Sequence, residues 1–174
     1  MTSAPNQSYS ASSSVEQPRH PLRLRLRPEA RATGYVDGAW WPRSRNLAAE
    51  LPALLAALAV RLGEIPRVSY NLTEWDTAPH QIAVGGVRVR LSGFWSRPAH
   101  TVDLVAGDRR RLTLLVVPPG ADSSAAHHTM MRAARRDNAD TVEGLLRWAS
   151  TSTADRWHDE GVRLPRQKTR EEDL

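Results

Sequence analysis

The strongest constraint on the fold is a pair of glycines, Gly85-Gly86, that separates two short runs of alternating apolar residues. A two-residue turn at these glycines places four apolar side chains on one face of a hairpin: Ile82, Val84, Val87 and Val89. The intervening side chains then form the opposite face: Gln81, Ala83, Arg88 and Arg90. Turn geometry and hydrophobic pattern agree on one register, so the sequence predicts a β-hairpin with one buried face.

The rest of the central chain also shows clear periodicity. Leu22–Arg27 alternates leucine with arginine, which predicts a half-buried strand with its leucines inward. Asn46 is suited to cap a helix that ends near Leu62, where Gly63 can adopt the left-handed backbone conformation that ends helices. Pro52 either lies in the first turn of the main helix or kinks it. The same patterns predict strands at 34–41, 68–72, 101–106 and 110–117, and helices at 123–136 and 141–149.

The order of these elements, ββ-α-β-ββ-ββ-αα, indicates the fold class. Consecutive hairpins favour a largely antiparallel sheet. Residues 112–117 are apolar on both faces, so they should form a strand in the interior of the sheet. We therefore expect an α+β fold with about six or seven strands and three helices packed mainly on one face.

Length and composition predict one domain between two tails. Residues 21–149 should form a single domain, with a disordered Ser-rich tail at 1–20 and a disordered charged tail at 150–174, where Trp157 either docks on the domain or stays free. The chain has no cysteine, no secretory signal and no apolar run of the roughly 18 residues needed to cross a membrane. We expect a cytoplasmic protein that neither spans nor binds a membrane.

The chain is basic, with a formal net charge of +5 and a pI near 10.6. Lys168 is its one lysine, and a genome rich in G and C produces such a bias toward arginine without selection for any partner. The number of arginines is therefore no evidence for nucleic-acid binding, whereas their arrangement would be.

Three segments resemble an uncharacterised actinobacterial family, the domain of unknown function family 5994. They are Gly34–Ser44 (GYVDGAWWPRS), Leu47–Leu55 (LAAELPALL) and Arg111–Pro119 (RLTLLVVPP). The resemblance covers about residues 22–145. It implies an actinobacterial source and a mostly single-domain architecture, and it brings no activity, cofactor or catalytic residue.

Two pairs of adjacent aromatic residues are candidate binding elements: Trp40-Trp41 and Phe94-Trp95. Neighbouring side chains of a strand point to opposite faces, so one ring of each pair needs a second covering layer, a partner or a ligand. Covering helices or loops are the simpler interpretation. The alternative is a stacking platform with arginines beside it: Arg43, Arg45 and Arg97.

The alternating arginines are a second candidate surface. Arg23, Arg25 and Arg27 project from one face of their strand about 6.6–6.8 Å apart, and Arg88 and Arg90 form a similar pair. If the two strands adjoin, five guanidinium groups share one face, which a nucleic-acid backbone could use. The simpler interpretation is a solvated outer face that keeps the sheet soluble.

The loop after the third strand is the one candidate for catalysis. Glu74, Asp76 and His80 put two carboxylates and an imidazole on one segment, which could support acid–base chemistry. Ordinary turn formation by Asp, Thr and Pro explains the same residues. We find no metal-ligand pattern, phosphate-binding loop or dinucleotide fingerprint, and we expect no cofactor and no metal site.

These observations leave three hypotheses. The first is a non-catalytic interaction module that binds a protein partner through its sheet face or its Trp-bearing edge, or that self-associates through an exposed edge strand. The second is binding of RNA or single-stranded nucleic acid on the arginine face. The third is an enzyme or small-molecule binder that uses the 74–80 loop. Of the three, the sequence favours the first, the non-catalytic interaction module, and leaves nucleic-acid binding and catalysis as alternatives.

Overall fold

The computed structural model describes residues 20–28 and 34–155. Most of the two predicted tails, and the proposed docking of Trp157, lie outside the described residues. The described chain forms seven strands and three helices in the predicted order, which confirms the α+β class. No described helix is both long and apolar enough to cross a membrane.

The strands are β1 (Leu24–Leu26), β2 (Gly38–Trp40), β3 (Arg67–Asn71), β4 (Gln81–Val84), β5 (Val87–Phe94), β6 (Thr101–Val105) and β7 (Arg111–Val116). The helices are α1 (Leu47–Leu62), α2 (Ser123–Ala133) and α3 (Val142–Asp155). Asn46 caps α1 through its side chain, and Gly63 ends it with a positive φ of 72°. Since α1 begins at Leu47, Pro52 lies inside the helix and not in its first turn.

All seven strands form one sheet in the order β1-β2-β7-β6-β3-β5-β4. The pairs β2–β7 and β3–β5 are parallel, and the other four pairs are antiparallel. Strands β2, β7, β3 and β5 consequently run in one direction. Their carboxyl ends, and the loops that follow them, therefore meet at one end of the sheet.

The β4–β5 hairpin has the predicted register. Val84 pairs with Val87 and Ile82 with Val89. Gly85 and Gly86 have φ values of 56° and 80°, the left-handed conformation that a two-residue turn of this type requires.

The helices do not cover mainly one face, so that part of the expectation is wrong. Helix α1 packs on one face, where its leucines join the core around Val68, Leu104 and Leu114. Helices α2 and α3 pack on the opposite face, against Leu115 and neighbouring apolar residues. The physical reason is the two-sided apolar character of β7, whose alternate residues need cover on both faces.

Six leucines of α1 are buried against the sheet and fix the position of that helix: Leu47, Leu51, Leu54, Leu55, Leu58 and Leu62. The indoles of Trp40 and Trp75 stack beside them, with ring centroids 5.4 Å apart and planes inclined by 22°. Each buried leucine contributes about 1.5–3 kcal/mol to folding, so this helix face is a main source of stability.

We expect Leu54→Ala to lower the free energy of unfolding by about 2–5 kcal/mol, because Leu54 is fully buried and its truncation leaves a cavity. Val60→Ala on the same helix is the matched control, because the Val60 side chain is 92% exposed, and should change stability by less than about 0.5 kcal/mol. Urea unfolding followed by circular dichroism measures both. Equal effects of the two substitutions would contradict the described packing of α1.

Candidate functional site

One half of the sheet carries a polar face. Helices α2 and α3 pack over the β1–β2–β7 part of the face opposite α1. On the remaining strands, the side chains that point the same way are mostly polar. They include Asp103 on β6, Ser69 and Asn71 on β3, and Ser92 on β5.

Three exposed arginines lie together on this polar face, and we call them the arginine surface: Arg67, Arg88 and Arg90. Arg67 on β3 is directly paired with Arg90 on β5, and Arg88 lies two residues before Arg90 on the same face. Among the described residues none of the three guanidinium groups has a hydrogen-bond or ion-pair partner. Like charges on neighbouring strands repel each other, and an anion bound between them would relieve this repulsion. The arginine surface therefore attracts anions.

A buried carboxylate organises the neighbouring strands. The Asp103 side chain is 8% exposed, and its Oδ2 contacts the guanidinium of Arg97 at 2.5 Å and that of Arg111 at 3.2 Å. Its Oδ1 accepts a hydrogen bond from the Thr113 hydroxyl at 2.6 Å. Both Arg97 and Arg111 are thus paired with a carboxylate, although Asp103 balances only one of their two charges, whereas the guanidinium groups of the arginine surface have no such partner among the described residues.

Phe94 and Trp95 form an exposed aromatic pair at the end of β5, with exposures of 45% and 74%. Phe94 points to the same face as Arg88 and Arg90, because it follows them on β5 by six and four residues and alternate residues of a strand share a face. The Arg97 guanidinium lies 5.8 Å from the centre of the Phe94 ring. The Asn71 amide donates a 2.6 Å hydrogen bond to the carbonyl of Arg97, so the loop after the aromatic pair is tied to β3.

The arginines of β1 do not join those of β5. The two strands are separated by β2, β7, β6 and β3. Arg23 lies over the Trp41 ring at 3.5 Å and donates to the carbonyls of Trp41 and Pro42; burial lowers its pKa. Arg27 is buried and donates to the carbonyl of Val36, whereas Arg25 is exposed.

The tryptophans of the first aromatic pair are covered by the protein itself. Trp40 is buried in the α1 core, and Trp41 is half-buried on the other side, where its indole nitrogen donates to the carbonyl of Pro118 at 3.2 Å. Arg43 is exposed; its backbone N–H donates to Glu50, and its guanidinium donates to the carbonyl of Pro21. This pair therefore offers no free stacking platform, unlike Phe94 and Trp95.

The three residues of the 74–80 loop do not converge. Glu74 is nearly buried and lines a cavity. Asp76 is exposed and lies 3.9 Å from Arg45, while His80 is exposed and lies outside the cavity wall. The residue that approaches Glu74 is instead His100, which directly precedes β6.

His100 and Glu74 form a close pair. Nδ1 of His100 lies 2.7 Å from Oε1 of Glu74; the His100 side chain is 39% exposed and that of Glu74 11%. Both oxygens of Glu74 are buried, and Oε2 has no hydrogen-bond partner among the described residues. The side-chain hydrogen bond to Glu74 raises the pKa of His100 above its ordinary 6.5, and partial burial opposes this effect. His100 also has a positive φ of 58°, a conformation that non-glycine residues adopt at an energetic cost.

The cavity beside this pair, which we call the end cavity, has a volume of about 490 Å³. It lies where the loops after β2, β3 and β7 meet, and Arg45, Trp75 and His100 line it together with three prolines. A second cavity of about 240 Å³ lies against His100 as well, between that residue and α3. Among residues 20–28 and 34–155, no cluster of His and carboxylate side chains could hold a metal ion.

Two features of these sites were not anticipated from the sequence. Glu74 and His100 are 26 positions apart, and only the order of β7, β6 and β3 brings them together. Arg67 belongs to a visible alternation of polar and apolar residues, but nothing local indicates that its strand pairs with β5. The aromatic pair Phe94-Trp95 was visible, although its exposure was not.

The chain belongs to the family of unknown function DUF5994, whose sequences it matches over residues 23–133. This confirms the resemblance noted in the sequence, while the actinobacterial source stays a prediction. No curated protein and no solved structure shows a significant match to the chain. Family membership assigns no activity, so function has to be argued from the surfaces described above.

We expect Glu74→Gln to change how stability depends on pH. Because its folded-state pKa is raised, His100 contributes stability that is fully present below pH 6.5 and is lost as pH rises through that raised value. Without the Glu74 carboxylate this contribution disappears. The free energy of unfolding of wild type should therefore exceed that of the variant most below pH 6.5, and the difference should shrink as pH rises further. Urea unfolding at a series of pH values measures the difference.

His80→Asn is the matched control for this experiment, because His80 is an exposed histidine outside the cavity. Its pH profile should follow that of wild type. A stability difference between wild type and Glu74→Gln that stays constant across this pH range would contradict the described pair.

Proposed function

We propose that this domain is a non-catalytic binding module and that its polar sheet face binds single-stranded nucleic acid. The observation that carries the proposal is the arginine surface: three exposed guanidinium groups without partners among the described residues, on the same face as an exposed aromatic ring. Phosphate contacts from arginine dominate nucleic-acid affinity, and bases stack on exposed aromatic rings.

The spacing of charge and rings suits an extended strand. Arg90 and Phe94 are four residues apart on β5, a distance of about 13 Å along the strand. A chain of nucleotides running along β5 could therefore contact the arginine surface with its phosphates and the Phe94 ring with a base. A duplex could not do this, because its bases are stacked on each other and are not free to stack on protein side chains.

The rigid support of the aromatic pair favours binding as well. The contacts of Asn71 and Asp103 with Arg97 hold the loop that follows Trp95 to two strands of the sheet. A loop held in place before binding loses little conformational freedom when a base stacks on the rings beside it. A catalytic role for this face has no support, since Asp103, the one buried carboxylate on this face in the part of the chain that the structure describes, is engaged by two arginines and a threonine.

Replacing the arginine surface with Arg67→Gln, Arg88→Gln and Arg90→Gln together should weaken binding of a labelled single-stranded RNA of about ten nucleotides. For single strands, each phosphate contact adds about 0.7 to the steepness with which log affinity falls against log salt concentration. Loss of three contacts should therefore reduce the magnitude of that slope by about 2. Fluorescence anisotropy titrations at several salt concentrations measure affinity and slope together.

The matched control is Arg25→Gln, Arg135→Gln and Arg136→Gln, which removes the same charge from exposed arginines away from this surface. Arg135 contacts Asp137 at 3.7 Å, and such exposed pairs contribute little to stability. This control should bind RNA almost as wild type does. Absence of binding by wild type at low salt, or equal losses in the two triple variants, would refute the proposal.

The double variant Phe94→Ala with Trp95→Ala should weaken binding of the same RNA by about 1–3 kcal/mol for each base that stacks on a ring. The slope of log affinity against log salt concentration should stay unchanged. Stacking releases no counterions, so its contribution to affinity does not depend on salt. The same titrations therefore distinguish it from the salt-dependent contribution of the arginines. The matched control is Tyr35→Ala, because the Tyr35 side chain is also exposed. Trp41→Ala is unsuitable, because Trp41 packs against the core and its loss would affect folding. Loss of salt dependence in the aromatic variant would contradict a stacking role.

A further inference from the structure

The end cavity is large enough for a small molecule and is mostly apolar. Its volume of about 490 Å³ falls within the range of small-molecule sites. Its walls include Trp75, Val116 and the rings of Pro42, Pro118 and Pro119. An occupant would therefore contact mainly apolar surface, and its polar part would have to meet the few polar side chains in the wall.

The accessible charged side chains of the wall carry hydrogen-bond donors. Arg45 is exposed and presents its guanidinium, which also donates to the carbonyl of Thr73 at 3.0 Å. His100 is partly exposed, its Nδ1 is directed to Glu74, and its Nε2 has no hydrogen-bond partner among the described residues. Glu74 also lines the cavity, but both of its oxygens are buried, so an occupant meets the histidine and not the carboxylate.

We propose that the end cavity binds a small organic acid, with its carboxylate on His100 and Arg45 and its apolar body against Trp75 and the prolines. A carboxylate has acceptors and no donors, which matches two donor side chains. The strained backbone of His100 supports this role, because residues held in such conformations cluster at ligand-binding sites. The inference is independent of nucleic-acid binding, since the end cavity and the arginine surface share no residue.

Glu74 acts as a positioning residue for His100. It holds the imidazole by Nδ1 and raises its pKa, so that His100 is a cation over a wider pH range. Several charged groups face His100 from the elements around it: Glu74 after β3, Arg45 before α1, Asp122 at the start of α2 and Glu143 on α3. Of these, Glu74 is in direct contact and has the largest effect.

The experiment uses fluorine NMR with the full chain and three matched sets of probes: fluorinated benzoates, benzamides and benzylamines. The three sets share their apolar bodies and differ in the head group, which is anionic, neutral or cationic. We expect benzoates to bind below pH 6.5 more tightly than their amides and amines. Their affinity should fall by up to about tenfold for each pH unit above the pKa of His100.

Three variants test the assigned roles. His100→Asn keeps a residue that tolerates a positive φ and removes the cation, so benzoate binding should be lost while circular dichroism stays unchanged. Glu74→Gln should retain binding at low pH and move the pH-dependent loss to lower pH. Arg45→Gln should weaken binding at every pH without moving that loss.

His80→Asn is the control, since it makes the same change at an exposed histidine outside the cavity. It should bind benzoates as wild type does. The inference is overturned if no benzoate binds, if amides or amines bind as tightly, or if His100→Asn behaves like His80→Asn. An unchanged pH profile in Glu74→Gln would remove the positioning role assigned to Glu74.

Discussion

Strand β7 is apolar on both of its faces, and the rest of the structure depends on covering both. Leu114 lies in the core with α1, and the adjacent Leu115 lies in the core with α2 and α3. Two helical layers are therefore needed around one strand. Because α2 and α3 lie over β7, β2 and β1, the other half of that face carries polar side chains and bears the arginine surface.

The direction of the strands determines where the loops meet. Strands β2, β7, β3 and β5 run the same way, so the segments that contain Pro42, Pro118, Glu74 and Trp95 all lie at one end of the sheet. His100 reaches the same end because the antiparallel β6 starts there. The end cavity and the aromatic pair thus lie at the same end of the sheet, although the cavity wall is assembled from segments as far apart in the sequence as Pro42 and Pro118.

Charge is distributed unevenly across the polar face. Asp103 pairs with Arg97 and Arg111, and this network joins β6, β7 and the loop after β5. On the next two strands, β3 and β5, Arg67 and Arg90 lie side by side with no carboxylate partner among the described residues. The buried Asp103 carboxylate thus links three segments at one place, while exposed cations a short distance away stay available for an anionic partner.

Local sequence determined the elements and one complete register. The Gly85-Gly86 hairpin, the capped helix between Asn46 and Gly63, and the two-sided apolar strand all follow from spacing and turn chemistry within a few residues. Strand order, the division of helices between two faces, the burial of Arg27 and the pairing of Glu74 with His100 were decided only by the tertiary structure. The reason is that side-chain periodicity reports which face of an element is buried, whereas contacts between distant segments depend on how whole elements pack.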